Sequence, residues 1–232
     1  MMRRLGEVLS SAVGFLFVLA CGSAPTGEVH ESFPEATQVV AGAAQPETQS
    51  TQPRDPSQTW IVLLGTGTPG AEPDRFGPAT AVVAGDTAYL IDAGPGVVRR
   101  AAAGAIVSGL SALNPSNLRL AFFTHLHSDH TLGYPDLMLS PWVLGRSTPL
   151  QVYGPPGLRA MTASLLDAYA EDIRVRVEGP ERLRRNLLIV DSYEIEPGVI
   201  YEDEVMQVEA FAVPHGTWDN AFGFKLTTDD RT

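Results

Sequence analysis

The chain has 232 residues, 44% of them hydrophobic, and a formal net charge of −11 at pH 7. This length is enough for one domain with a sizeable core, and the negative charge disfavours binding to the phosphate backbone of nucleic acids. The only cysteine is Cys21, which excludes an internal disulfide bond and a thiolate-rich zinc site.

Residues 1–21 have the pattern of a secretion signal. Arg3 and Arg4 form a positive start, and residues 8–20 form an apolar segment too short to span a membrane as an ordinary helix. The segment ending at Cys21 resembles the lipobox of bacterial lipoproteins, in which the cysteine is lipidated and becomes the first residue. We therefore expect an exported protein, periplasmic or at the cell surface and anchored to a bacterial membrane through lipidated Cys21. A plain cleaved signal with an incidental cysteine is the alternative.

Residues 22–57 are rich in Pro, Ser, Thr, Gln and Glu without a helical or alternating apolar period, which predicts a disordered linker. The folded domain is therefore expected over residues 58–232. Six of the 27 acidic and three of the 16 basic side chains precede it, which leaves 21 acidic and 13 basic side chains and a formal balance of −8. One basic patch, RLRRN at 182–186, lacks interleaved aromatic residues and is typical of a solvated helix end. Nucleic acid is therefore disfavoured as a partner.

The rest of the domain alternates between strand-like and helix-like segments. Short apolar runs predict strands at 60–64, 79–84, 87–92, 118–124 and 150–153, and alternating runs predict later strands at 205–213 and 221–228. Gly85-Asp86 predicts a tight turn between the second and third strands. Helices are expected at about 95–106, 131–140 and 157–170. This order predicts an α/β fold with a mixed sheet.

The segment GTGTPG at 65–70 has the glycine spacing of a dinucleotide-binding loop and follows a strand. That loop binds a pyrophosphate only when a helix begins at the third glycine. Two further prolines follow at Pro73 and Pro78, so no long helix is expected there. The segment is therefore predicted to be a turning loop beside the active site.

Four side chains that commonly bind metals lie within six positions after the strand at 118–124, namely His125, His127, Asp129 and His130. Histidines two apart on an extended segment point to the same side and can share one ion, while the other two can reach a second ion. Two metals about 3.5–4 Å apart can clamp the attacking and leaving oxygens of an ester. Imidazole with carboxylate suits zinc, with manganese or iron as alternatives.

The remaining histidines are His30, in the linker, and His215, at the end of an alternating strand. Every histidine of the predicted domain is therefore a candidate ligand. The alternative is that His215 is an ordinary surface or core histidine.

The motif THLHSDH at 124–130 resembles the metal signature of the metallo-β-lactamase superfamily. The flanking segments are similar to ribonuclease Z and its arylsulfatase-like relatives, over essentially all of residues 60–228. The segments that carry this similarity are LLGTGTPG at 63–70, IDAGPG at 91–96, HTLGYPDL at 130–137, VYGPPGL at 152–158 and VPHGTWDNAFGFKL at 213–226.

The resemblance implies an αββα sandwich with the metals at the edge where the strand-end loops meet. It implies that His125, His127 and His215 hold one zinc ion, and that Asp129 and His130 hold the other. Asp129 is also expected to be catalytic. Asp92 corresponds to an early aspartate of the family that orients a residue of the metal site. Histidine at 127, where the diiron members carry glutamate, favours hydrolysis over redox chemistry.

Two groups that the family pattern leads us to expect are not in the sequence: a carboxylate that bridges both metals, and a late histidine. We therefore expect a sandwich that is incomplete in its C-terminal half, in a chain truncated at its C-terminus. Such a chain is expected to bind one zinc ion weakly and to be inactive by itself.

The sequence thus predicts an exported zinc-dependent hydrolase with two metals per complete site. A metal-bound hydroxide would cleave a small-molecule ester, with sulfate esters or phosphodiesters favoured. The alternatives are a catalytically inactive, membrane-tethered metal-binding or interaction protein, a β-lactamase or lactonase-type hydrolase, and an endonuclease that processes tRNA 3′ ends. A homodimer is left open. Trp218, Asp219 and Arg75 are candidates for substrate contact.

Overall fold

Two β-sheets and a layer of helices make up residues 58–229, the part of the chain that the computed structural model describes. The predicted signal at 1–21, with Cys21, and the predicted linker at 22–57 lie outside the described residues. Within 58–229, none of the helices has both the length and the apolar character needed to cross a membrane.

The first sheet has six strands in the order of the chain. They are β1 (Trp60–Gly65), β2 (Ala79–Ala84), β3 (Thr87–Ile91), β4 (Leu120–Phe122), β5 (Leu150–Gly154) and β6 (Val190–Glu194). Strands β1 to β3 are antiparallel neighbours, whereas β3 to β6 pair in parallel. The second sheet is antiparallel and consists of β7 (Gly198–Glu202), β8 (Gln207–Ala212) and β9 (Phe222–Thr227).

Five α-helices lie between the strands of the first sheet. They are α1 (Val97–Ser108), α2 (Ser128–Thr131), α3 (Tyr134–Val143), α4 (Leu158–Ala168) and α5 (Ala170–Glu178). Helix α1 buries Val97, Val98, Ala101 and Ala105, which recur at helical spacing and form one apolar stripe. This stripe belongs to a core formed by the helices and one face of the first sheet.

A second core lies between the two sheets. Tyr89 and Phe122 from the first sheet pack with Val208 from the second and with Met206 in the turn before β8, and all four are buried. The carboxylate of Asp203, in the turn between β7 and β8, accepts a hydrogen bond of 2.7 Å from the Tyr89 hydroxyl. This bond ties the turn of the second sheet to the first sheet.

The predicted strands and their order are confirmed, including the hairpin at Gly85, whose φ of +55° is the left-handed conformation that a tight turn requires. Three elements were missed: β6, β7 and α5. Strands β6 and β7 each carry acidic residues and show no clean alternation, and each lies at the edge of its sheet. The helix expected at 157–170 is α4, which ends at Ala168, and the missed helix α5 follows it after Tyr169.

The helix expected at 131–140 begins later, at Tyr134 of α3, because α2 ends at Thr131 and the chain turns at Gly133. The backbone N–H of Gly133 donates a 2.8 Å hydrogen bond to the carbonyl of Ala93, and a Cβ at residue 133 would lie 2.2 Å from the carbonyl oxygen of Gly94. The chain therefore turns here to pass directly against the loop that follows β3. This close approach positions the loop of the predicted metal-binding motif at 124–130.

The GTGTPG segment is a loop with no helix after it, as predicted. Gly67 donates a 2.7 Å hydrogen bond from its backbone N–H to the carbonyl of Phe76, and a Cβ at residue 67 would lie 2.7 Å from that oxygen. Gly67 thus allows two stretches of the loop to pack together. A Cβ on the neighbouring Gly77 would lie 3.0 Å from the carbonyl oxygen of Asp129, so the loop is beside the predicted site.

Candidate metal centre

The predicted metal-binding motif at 124–130 lies where strands of both sheets end. Asp92 follows β3, and the segment 124–130 follows β4, so the parallel pairing of these strands brings both segments to the same edge. His215 follows β8 of the second sheet. The backbone N–H of Phe222, at the start of β9, donates a 2.8 Å hydrogen bond to the carbonyl of Thr124, which holds the two sheets together at this edge.

Three imidazoles meet there. Nε2 of His125 lies 2.9 Å from Nδ1 of His127, and Nε2 of His215 lies 3.3 Å from that same Nδ1. One nitrogen from each ring lies within 4.8 Å of the other two, which is the spacing of ligands around one ion. His125 is only 4% exposed, whereas His127 and His215 are exposed, so the group opens to solvent on one side.

The donor atoms of this group suit a metal ion. Hydrogen bonds among the three ring nitrogens cannot give each of them a partner. A hydrogen bond joins one protonated and one unprotonated nitrogen, so the third nitrogen is left without a partner. A cation accepts all three lone pairs at once. Burial lowers the pKa of His125 to about 4, and the nearby imidazoles of His130 and His215 act in the same direction. This ring is therefore neutral at pH 7, as a metal ligand must be.

Asp129 and His130 lie beside this group and face each other. Oδ2 of Asp129 is 3.5 Å from Nε2 of His130, and the His130 ring centroid is 4.2 Å from that of His125. Burial acts to lower the pKa of His130, but the hydrogen bond to Asp92 and the charges of Asp92 and Asp129 outweigh it, so the pKa is raised. The pair offers an oxygen and a nitrogen donor next to the three-histidine group.

Asp92 is buried next to His130. It is 5% exposed, and its φ of +61° is a conformation that non-glycine residues rarely adopt. Its Oδ2 lies 2.7 Å from Nδ1 of His130. Strained backbone of this kind concentrates at functional sites, and here it aims the carboxylate at an imidazole.

Trp218 covers one side of His127. The two rings are edge to face with centroids 4.6 Å apart, and the backbone N–H of Trp218 donates a 3.0 Å hydrogen bond to the carbonyl of His215. The loop that carries His215 therefore also supplies an aromatic wall. Of the other two candidates for substrate contact, Asp219 is exposed, and Arg75 forms an exposed ion pair with Glu72 at 3.1 Å.

Comparison with known proteins places the chain in a family. Residues 87–232 match the family described as the beta-lactamase superfamily domain. The chain belongs to the beta-lactamase superfamily. Its sheets and helices are those of the metallo-β-lactamase-like fold, so the predicted fold class is confirmed.

Two curated relatives in this superfamily are named ribonuclease Z. The protein from Mycobacterium marinum is 35% identical over 173 residues, which are 73% of this chain and 59% of the relative. The protein from Mycobacterium sp. strain KMS is 36% identical over 73% of this chain and 58% of the relative. The chain thus spans somewhat less than three fifths of the length of these relatives. These similarities are to proteins named ribonuclease Z, and they give no support to the arylsulfatase-like branch.

Among solved structures, the short form of human tRNase Z is similar in fold. Its TM-score is 0.56 and its sequence identity 22%, over 75% of this chain and 65% of that chain. At this identity the likeness concerns the fold.

The structure brings all six predicted site residues to one edge of the molecule: His125, His127, Asp129, His130, His215 and Asp92. Their roles as ligands and as a catalytic residue stay predictions. Sequence reasoning missed Thr124, whose hydroxyl touches both Asp92 and His125. The one signal for it was its position directly before the first histidine of the motif.

Proposed function

We propose that the protein is a metal-dependent hydrolase that cleaves phosphodiester bonds. The observation that carries the proposal is the convergence of three imidazole nitrogens, beside a carboxylate and a fourth imidazole, at a solvent-accessible edge. A divalent cation held there would lower the pKa of a water molecule and stabilise negative charge on the substrate. Zinc is the proposed metal, because all the donors are imidazole or carboxylate.

The residues of this chain have distinct tasks in the proposed reaction. His125, His127 and His215 would hold one cation, and Asp129 and His130 would contribute to a second position. The carboxylate of Asp129 is 11% exposed, so it lies close to the reacting centre with little contact with bulk water. Trp218 would exclude water from the side of His127 that it covers.

The substrate class rests on similarity and on charge. The curated relatives carry the name ribonuclease, and RNA strands are joined by phosphodiester bonds, which supports a phosphodiester over a sulfate ester. The formal balance of −8 over residues 58–232 favours a small diester over a long polyanion. An RNA endonuclease is the second candidate, favoured by the 35% identity.

Activity assays with the zinc-loaded product of the natural gene test this proposal. We expect hydrolysis of bis(p-nitrophenyl) phosphate, and a rate at least about 100-fold lower in the His127→Ala variant. Loss of a residue that only orients a metal ligand usually lowers activity 10- to 100-fold, and loss of the ligand itself should lower it more. A precursor tRNA, p-nitrophenyl sulfate and a chromogenic β-lactam serve as competing substrates. Faster turnover of any of these three would overturn the assignment to small phosphodiesters, and no turnover of any substrate would overturn the enzyme proposal.

We also propose that the protein is exported and attached to a membrane through a lipid on Cys21. The supporting observation is the sequence of residues 1–21. Fractionation of cells that express the natural gene is expected to recover the protein with membranes, and the Cys21→Ser variant in a soluble or unprocessed form. Recovery of the unaltered protein in the cytoplasmic fraction would contradict this proposal and would favour the RNA substrate.

A further inference from the structure

The carboxylate of Asp92 is the centre of a hydrogen-bond network beneath the histidines. Its Oδ1 accepts from the backbone N–H of Thr124 at 2.8 Å, and its Oδ2 lies 2.7 Å from Nδ1 of His130. The hydroxyl of Thr124 lies 3.0 Å from Oδ1 and 2.9 Å from Oδ2. In the contacts with Thr124 the carboxylate oxygens accept, so the backbone N–H and the hydroxyl of Thr124 donate.

The direction of the next hydrogen bond follows. A threonine hydroxyl has one proton, and the contact with Asp92 uses it. The Thr124 oxygen also lies 2.9 Å from Nδ1 of His125, and in this contact it can only accept. Nδ1 of His125 therefore carries the ring proton. Its Nε2 is left with a free lone pair, and this is the atom that lies 2.9 Å from Nδ1 of His127 in the three-histidine group.

We infer that Thr124 is a positioning residue, whose hydroxyl passes the orienting effect of Asp92 to His125. By the same reasoning His130 donates from Nδ1 directly to Asp92 and presents Nε2 towards Asp129. The Asp92 carboxylate therefore sets the tautomer of two imidazoles, one in each proposed metal position. It contacts His130 directly and acts on His125 through the hydroxyl of Thr124. Loss of a group that orients a metal-binding histidine in this way usually lowers metal affinity 10- to 100-fold.

The proposed role of Thr124 depends on its hydroxyl group and not on its methyl group. Valine has almost the shape of threonine but cannot donate to Asp92 or accept from His125. Serine keeps both abilities and loses only the methyl group. The pair of substitutions therefore separates the hydrogen bonds from packing. A matched control is Thr162, which is 4% exposed and whose hydroxyl bonds to Leu158 and Tyr134, outside the site.

The test compares zinc affinity in Thr124→Val, Thr124→Ser and Thr162→Val, by competition with a chromogenic chelator. We expect a loss of about 10- to 100-fold for Thr124→Val. Thr124→Ser and Thr162→Val should stay within about threefold of the unaltered protein, because neither loses a hydrogen bond to the site. Nitrogen-15 NMR of the metal-free protein should show the proton on Nδ1 of His125, and a mixture of tautomers in Thr124→Val.

The inference rests on the proposed metal site, and the outcomes separate the two. If the unaltered protein binds no zinc, the proposed site fails. If it binds zinc and Thr124→Val binds equally well, with the same tautomer at His125, only the role of Thr124 is overturned. An equal loss in Thr124→Val and Thr162→Val would also overturn it, because the loss would then follow from the removal of any buried hydroxyl.

Discussion

Replacement of His127 by alanine is expected to reduce zinc affinity by at least about 100-fold. This is more than the usual effect of losing a residue that only orients a ligand through a hydrogen bond. Nδ1 of His127 is within 3.3 Å of Nε2 of both His125 and His215. Its removal leaves only the imidazoles of His125 and His215 in the three-histidine group. Two imidazoles alone are too few for a tight zinc site. Competition with a chromogenic chelator measures the loss directly.

The matched control is His30→Ala, which removes the histidine farthest in sequence from the motif. Zinc affinity should be unchanged in this variant. Because the His127 side chain is exposed, the melting temperature of the metal-free protein should also change little. Equal zinc affinity in the two variants would contradict the proposed site, and a large drop in the metal-free melting temperature would show that His127 has a structural role instead.

A second large effect is expected at Arg146, which is 1% exposed and forms no ion pair within residues 58–229. Its guanidinium donates hydrogen bonds of 3.1 Å to the carbonyls of Leu137 and Met138 in α3. Pro141 lies inside this helix and has no N–H, so the carbonyl of Leu137 loses its usual partner four residues later. Arg146 supplies the missing donor. Burial lowers the pKa of Arg146 to about 10, so the side chain is still charged at pH 7.

Arg146→Met should therefore lower the free energy of unfolding by about 1–3 kcal/mol, the range for a buried polar group that is left without its partner. Urea unfolding followed by circular dichroism measures this change. In a Pro141→Ala background, the N–H of residue 141 can bond to Leu137, so the cost of Arg146→Met should be smaller by about 1 kcal/mol. The same cost in both backgrounds would show that Arg146 does not replace the donor that Pro141 lacks.

The sequence predicted the local part of the site because its information is local. His125, His127, Asp129 and His130 occupy six consecutive positions, and the apolar run before them places the group at the end of a strand. Parallel pairing of β3 with β4 then brings Asp92 to the same edge. The convergence of His215 with these residues came from family resemblance, because its position depends on the second sheet.

The features that were missed depend on contacts between distant segments. The role of Thr124 depends on the carboxylate of Asp92, 32 residues earlier in the chain. The break between α2 and α3 depends on the approach of Gly133 to the loop after β3, which no helical period in the sequence indicates. Strand β6 pairs along one side only and carries polar residues, so its pattern resembles that of a loop.

X-ray absorption spectroscopy of the protein loaded with one zinc ion per chain tests the central claim, that His215 joins His125 and His127 around one ion. The account predicts three imidazole ligands at about 2.0–2.1 Å, and two in the His215→Ala variant. A spectrum with three imidazoles that is unchanged in His215→Ala, or one with no imidazole ligands, would contradict it.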